Sequence, residues 1–353
     1  MCSAPSDSIT ICITYHNEGN LLNRSLNSAK KAILGLEHYK ILIVDDHSSM
    51  PAKDIIVNDL DSEHIEVVTN KNRMGVSRSR NLAINCATSK YIAFLDADDF
   101  YCQGFRFQNV MDDLRQLDYI NCQVVILRSI VSYPEKTLAN AYLGPTNNLL
   151  TNPREIILEY ITEVKGKSIV THIWDKLFNL EFLLKNNLRF DETMELFEDT
   201  RFSIEVLLKS EAVALIAREM TTHISSKMNR NYVHKTMDFL KLTEQLQPMF
   251  TYFGVSKSSF NAAHLAKTFI ALSTSSWLDA TKGIGNIAKS NLICEDTVNV
   301  RAIRSLYLRF LVILGVWRFP IVMALALKVY YFYHQVLRTS FSVRVSRKGK
   351  TFV

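Results

Sequence analysis

The sequence predicts an α/β fold with a mainly parallel sheet, helices on both faces, and a C-terminal helical region. Three observations carry this. Short β-branched runs alternate with helical periodicity over the first hundred residues, as buried strands and their covering helices do. Two of those runs end in acidic pairs, at the carboxyl ends of strands where ligands gather in open α/β sheets. From Asn231 onward only helical periodicity is legible.

The elements follow in order. Ile9 to Thr14 and Ile41 to Val44 are apolar, β-branched runs that read as buried strands. Between them, Leu21, Leu22, Ser25, Leu26, Ala29, Ala32 and Ile33 recur at helical spacing within Asn20 to Leu36. A third strand is predicted at Ile65 to Thr69, a helix at Val76 to Cys86, and a fourth strand at Tyr91 to Leu95 running into Asp96-Ala97-Asp98-Asp99. Beyond Phe100 come a helix, a strand at Cys122 to Ser129, a loop from Tyr133 to Pro153, and a helix from Arg154 to Val164. The predicted division is 1–225, with halves 1–120 and 121–225, followed by 226–353.

Composition narrows the function. The 353 residues carry 41 Lys and Arg against 35 Asp and Glu, a net charge of +6. Basic residues are spread out until the tail, which disfavours a nucleic-acid binder. The six cysteines form no C-x-x-C pair and no zinc-ligand spacing, so a reduced, cytoplasmic setting is expected. Met1 to Ser8 lacks the pattern of a secretory signal. No G-x-G-x-x-G follows the first strand, which argues against a dinucleotide-binding oxidoreductase.

Asp96, Asp98 and Asp99 repel one another unless positive charge lies nearby. A divalent cation would supply it, since hard cations take one or two protein carboxylates and fill their other positions with water and phosphate oxygens. The alternative is a solvated, helix-capping turn. Upstream, Gly75 opens a helix whose first turns hold Arg78 and Arg80, a setting that suits a pyrophosphate. Residues two apart on a helix face different ways, so Arg80 alone is the candidate phosphate contact and Arg78 the solvent-facing cation. Glu198 and Asp199 begin an amphipathic helix with Phe202, Val206 and Leu207; as a bare pattern they equally suit dipole-complementing caps.

Several segments in order are similar to the family 2 glycosyltransferases of GT-A fold. They are Ile13 to Glu18 (Ile-Thr-Tyr-His-Asn-Glu), Val44 to Ser49 (Val-Asp-Asp-His-Ser-Ser), Gly75 with Arg80 and Asn81, and Phe94 to Asp99 (Phe-Leu-Asp-Ala-Asp-Asp). Trp174, Lys176, Leu177 and Phe178 follow, then Arg189, Phe190 and the pair Glu198-Asp199, so that the resemblance covers the first two thirds of the chain. It implies an inverting transfer of a sugar from a nucleotide diphosphate, most simply a uridine diphosphate sugar, to the hydroxyl of a glycan or lipid-linked acceptor. Asp46 would meet the base, and Thr14, Tyr15, His16, Asn17 and Glu18 would line it, with either Tyr15 or His16 stacking. Asp96 and Asp98 would touch ribose and a manganese or magnesium ion, with Asp99 sharing or supporting the ion. Asp199 would be the base. Trp174 is either a platform for a sugar or core, Lys176 either reaches a phosphate or pairs with Glu198, and His223 is either a metal ligand or a structural histidine. The other readings are a metal-dependent nucleotidyltransferase, which needs no Asp199, and a non-catalytic carbohydrate-binding protein on the same scaffold.

Leu306 to Tyr333 is apolar but interrupted by Arg309, Arg318 and Lys328, and it contains no uncharged run of the roughly 18 residues that a spanning helix requires. Pro320 breaks it near the middle. With Trp317, Tyr330, Tyr331, Tyr333 and the basic tail, the expectation is a pair of interfacial helices on the cytoplasmic face of a membrane. The competing reading is a bundle packed against the rest of the protein or a second subunit.

Overall fold

The computed structural model describes residues 7–59, 62–132, 140–162, 170–224 and 241–247. The chain divides into two compact units, 1–228 and 229–353. In the second, residues 241–247 are helical. The stretch Leu306 to Tyr333 and the basic tail lie outside the described residues.

The first unit opens with strand β1 (Ile9–Tyr15), helix α1 (Leu21–Ala32), β2 (Tyr39–Asp45), a short α2 (Ala52–Ile55), β3 (Ile65–Thr69), α3 (Val76–Cys86) and β4 (Tyr91–Asp96). It continues with β5 (Phe100–Tyr101), α4 (Phe107–Gln116), β6 (Val124–Ser132), β7 (Asn140–Leu143), β8 (Leu149–Thr151), α5 (Pro153–Thr162), β9 (Lys176–Asn179), α6 (Leu180–Lys185), α7 (Glu198–Lys209) and β10 (Val213–Ile224). Among the described residues these strands form one sheet in the order β3-β2-β1-β4-β9-β6-β10-β5, with β7 on β6 and β8 on β10.

The expected parallel sheet is its first half: β3, β2, β1 and β4 all run the same way. From β9 the sheet is mixed, because β9 lies antiparallel between β4 and β6, while β10 is again parallel to β6. The predicted loop from Tyr133 to Pro153 is corrected, since it contains β7 and β8. Each pairs along an edge over three or four residues, too short a run to show alternation in sequence.

Both faces are covered. On one, Ile9, Ile11, Ile13, Ile41 and Ile43 pack with Leu22, Leu26 and Ala29 of α1 and Phe107, Val110 and Met111 of α4. On the other, Phe94 meets Phe178, Phe190 and Phe202 at ring separations of 5.4–6.5 Å. Each such fully buried side chain contributes about 1.5–3 kcal/mol. The alternation that sends odd residues of β1 to one face leaves Thr10, Cys12 and Thr14 facing the other. Among the described residues no helix is long and apolar enough to cross a membrane.

At the end of β7, Gly144 has φ +112°, and an added Cβ would stand 2.5 Å from the Leu127 carbonyl oxygen. Gly144→Ala is expected to destabilise the unit by about 1–3 kcal/mol, read as a lower urea midpoint at unchanged slope.

Candidate active site

The parallel register aligns Thr14 with Asp96 and Tyr15 with Asp45, so the carboxyl ends of β2, β1 and β4 share one edge of the sheet. Asp45 and Asp46 both turn inward there. Asp45 accepts from the backbone amides of Ser48 and Ala52 at 2.9 and 2.8 Å, and so shapes the following turn. Asp46 accepts from Asn70 Nδ2 and from the amides of Met74 and Gly75 at 2.7–2.8 Å, pinning the loop that opens α3. A carboxylate offers about four lone-pair sites, so Asp46 retains one. Asn70 was not singled out by the sequence. Its signal is its position, a polar residue just past a strand at the ligand edge.

The structure separates the two candidate stacking residues. Tyr15 is buried and donates its hydroxyl to the Met50 carbonyl at 2.8 Å, so its proposed contact with a base is corrected: it is core. His16 is half-buried with Nδ1 2.9 Å from the Asp46 carbonyl oxygen, and Asn17 beside it is exposed with φ 68°. Glu18 folds back to accept from the His16 amide, and burial raises its pKa.

Arg80 is the centre of the site. Its side chain is only 3% exposed, seated over the Phe190 ring at 5.4 Å. Nη2 donates to Asp96 Oδ1 at 3.0 Å, and Nη1 donates to Asp199 Oδ1 at 2.6 Å and Glu198 Oε1 at 3.1 Å. The guanidinium therefore meets three carboxylates where the sequence suggested a phosphate. Arg78 is half-exposed and lies 3.5 Å from Glu192, the solvent-facing role expected of it. Thr14 donates its hydroxyl to the same Asp96 oxygen at 3.2 Å. Asn81 locks the approach to α7 from below: its amide group bonds both the N–H and the carbonyl of Phe190, at 2.8 and 2.9 Å. Phe190 in turn stacks on Phe202 of α7 at 3.9 Å. Phe197, immediately before α7, has φ 65°, a left-handed turn unusual for a bulky residue, and the acid pair follows it directly.

The acidic strand end divides its labour. Asp98 is half-buried, and burial followed by the Asp96 charge raises its pKa. Its carbonyl accepts from Arg24 Nη2, a contact that the sequence did not suggest. Asp99 is fully buried, with its oxygens 2.9 and 3.0 Å from His223 Nδ1 and accepting from the Ile224 amide at 3.2 Å. Burial pushes its pKa up to about 6 against the lowering effect of His223. Both Asp99 oxygens are engaged by His223, so Asp99 anchors that imidazole. Burial lowers the His223 pKa, but the Asp99 contact and the three nearby carboxylate charges outweigh it and the net shift is upward.

Of the two readings of Trp174 the structure takes the core, and both readings of Lys176 are corrected. Trp174 is 4% exposed, with His172 and His223 stacked on its indole at 4.5 and 5.3 Å, so it offers no open platform to a sugar. Lys176 reaches neither a phosphate nor Glu198. Its ammonium is buried against Asp175 Oδ1 at 2.6 Å and the His172 carbonyl. The apolar strand β9 carries it inward between β4 and β6.

Asp199 keeps a fifth of its side chain exposed. Burial raises its pKa well above the ordinary carboxylate value, with Glu198 and Asp96 adding to the shift and Arg80 opposing it. Asp46, Asp96, Asp98 and Asp199 lie on one unit, and Arg80 directly joins the strand-end carboxylate to the pair on α7. The strand-end carboxylate of Asp96 and the partly exposed carboxylate of Asp199 therefore stand on either side of a single guanidinium.

Residues 10–172 match the family model described as glycosyl transferase family 2. The chain is 25% identical over 217 residues to the uncharacterized glycosyltransferase EpsJ of Bacillus subtilis, covering 59% of this chain and 58% of that one. It is 27% identical over 220 residues to the poly(ribitol-phosphate) beta-glucosyltransferase of Bacillus spizizenii, covering 59% of this chain and 31% of that protein. The aligned part thus spans less than two thirds of either relative. In fold it is similar to S. aureus TarS 1–349 in complex with UDP-GlcNAc, with TM-score 0.68, 12% identity, and coverage of 92% of this chain and 91% of that one. The matched segment, residues 10–172, holds the strand ends, Arg80 and the acidic triplet, and over that segment the chain is a glycosyltransferase of family 2 type with a GT-A-like fold.

Proposed function

We propose that this glycosyltransferase moves a sugar from a uridine diphosphate sugar to an acceptor hydroxyl with inversion, in the synthesis of a cell-surface polysaccharide or related glycan. The observation that carries this is the Arg80 bridge, which ties Asp96 at the donor edge to Asp199 on α7. The names of the similar proteins support the donor and the setting: one binds UDP-GlcNAc and another acts on poly(ribitol phosphate).

In this mechanism the base lies over the turn held by Asp46, beside His16 and Asn17, and the diphosphate lies towards Asp96 and Asp98. Asp199 takes the proton of the acceptor hydroxyl as its oxygen attacks the anomeric carbon from the side opposite the diphosphate. The glycosidic bond breaks, and its electron pair leaves with the nucleotide diphosphate. Arg80 holds Asp199 in place and spreads the charge of the pair. Glu198 raises the basicity of its neighbour.

A divalent cation fits the residues present. Asp98 makes no ion pair among the described residues, and its pKa is raised by burial and by Asp96, so the strand end has unneutralised negative charge. Hard cations of the magnesium or manganese type take one or two protein carboxylates and complete their shell with phosphate oxygens and water. Asp96 and Asp98 would hold it, and it would supply Lewis-acid stabilisation to the leaving diphosphate.

The test is a screen of uridine and guanosine diphosphate sugars with manganese, read as release of nucleoside diphosphate in the presence of glycan or lipid-linked acceptors. Release from at least one uridine donor is expected. Silence across both nucleotide series overturns the proposal.

A further inference from the structure

Behind the acidic strand end, the turn leading into β9 and the end of β10 bring together three rings and a buried ion pair. His172 and His223 both stack on the Trp174 indole, at interplanar angles of 23° and 9°. The segment that carries Trp174 is tied down on every side. Thr221 donates its hydroxyl to the Trp174 carbonyl at 3.0 Å, and the Leu127 amide donates to the Asp175 carbonyl at 2.8 Å. The Lys176 ammonium bonds both Asp175 and the His172 carbonyl, closing the turn 172–176 on itself. The side chains of Lys176 and Asp175 are 1% and 0% exposed, and Asp175 Oδ2 has no hydrogen-bond partner among the described residues.

An ion pair so deeply buried costs more than apolar packing of the same volume would. What it holds in return is the backbone of His172 and Trp174. Burial, then the Lys176 charge, pushes the His172 pKa down to about 3, so its ring is neutral and packs on the indole without bringing a second charge into the core. His223 is then held twice, by its face against the indole and by Nδ1 against Asp99. Two such constraints at right angles leave the imidazole a single orientation.

We infer that His172, Trp174 and Lys176 are a positioning unit for His223, holding its imidazole beside Asp96 and Asp98 where the diphosphate end of the donor binds. The activity side of this inference rests on the transferase reading; the packing side does not. Trp174 acts through His223 and touches no substrate.

The experiment uses the full chain and its variants Trp174→Leu, Trp174→Phe and His223→Gln, with the first and last also combined. The first readout is the proton spectrum of His223, assigned by its loss in His223→Gln. A ring parallel to an indole feels its ring current, so upfield-shifted His223 ring protons are expected in the wild type. Trp174→Leu abolishes that shift, and Trp174→Phe keeps part of it. The second readout is calorimetric affinity for UDP with manganese. Trp174→Leu is expected to weaken it about tenfold, the scale typical of lost supporting contacts, and Trp174→Phe to recover most of that loss. Adding Trp174→Leu to His223→Gln causes no further loss, because the two act through one group. If Trp174→Leu does not fold, as thermal unfolding would show, Trp174→Phe and His172→Leu carry the same comparison. An unshifted His223 resonance in the wild type, or additive losses in the double variant, overturns the inference. A wild-type chain that binds no UDP sinks the transferase reading instead, and the ring-current result still decides the packing.

Discussion

Asp199→Asn is expected to lower kcat by about 10²- to 10⁴-fold, the contribution of a positioned general base. The substitution keeps the shape of the side chain and its place beside Arg80, so the fold and donor affinity change little. It removes the one group on α7 whose position and basicity both suit proton removal. The pH profile supplies an independent check. Burial, Glu198 and Asp96 hold the Asp199 carboxyl well above its ordinary value of 3.8. In the proposed mechanism the deprotonated form is the active one, so wild-type kcat/KM is expected to rise with pH through that raised value and then level. The residual activity of Asp199→Asn lacks this limb. Steady-state nucleotide release across pH measures both effects, and circular dichroism confirms that the variant is folded. Full turnover in Asp199→Asn would favour a nucleotidyltransferase, which needs no base at this position.

Arg80→Met is expected to cost about 3 kcal/mol of stability and nearly all activity. Removing one partner of a buried ion pair typically costs about 3–5 kcal/mol. The lower end applies here because Asp96 remains a third exposed and water screens part of the uncompensated charge. The sign with pH is specific. Burial already holds the Asp199 carboxyl above its ordinary value against the opposing Arg80 charge, so without the guanidinium Asp199 binds its proton more tightly still in the folded chain than in the unfolded one, and the variant gains stability as pH falls through that raised value and loses it as pH rises. The deficit relative to wild type is therefore largest above the raised Asp199 value and shrinks as pH falls through it, as urea unfolding at two pH values would show. Arg80→Lys restores a charge but not the fork that reaches two elements at once. It is expected to recover part of the stability and little of the activity. An Arg80→Met protein as stable as the wild type at neutral pH would show that the bridge carries no energy.

Much of the first half was legible because its signals are local. The strand at Ile65–Thr69 and the helix at Val76–Cys86 stand where alternation and periodicity put them. The acidic ends of β2 and β4 announced a ligand edge, since in a parallel sheet all carboxyl ends share one side. The errors lie where packing between distant segments decides. Lys176 looks like an exposed functional residue in a motif, yet β9 inserts antiparallel between β4 and β6 and takes it into the interior. No nearby residue signals that insertion. Tyr15 and His16 are neighbours with similar claims to a base, and only the Met50 carbonyl, thirty-five residues on in the chain, draws one of them into the core.

By itself, the sequence determined the α/β alternation, the two acidic strand ends, the acid pair on an amphipathic helix, and the family that these motifs resemble in order. Each is a pattern over a few residues, so it survives without coordinates. The tertiary structure alone decided that Arg80 joins carboxylates 16, 118 and 119 residues away rather than facing solvent or phosphate. It also decided that Asp99 serves His223 and that an indole with a buried ion pair stands behind that imidazole. Charge pairing across such separations depends on which strands become neighbours, and strand order is set by the packing of the whole sheet, which no local run of residues encodes.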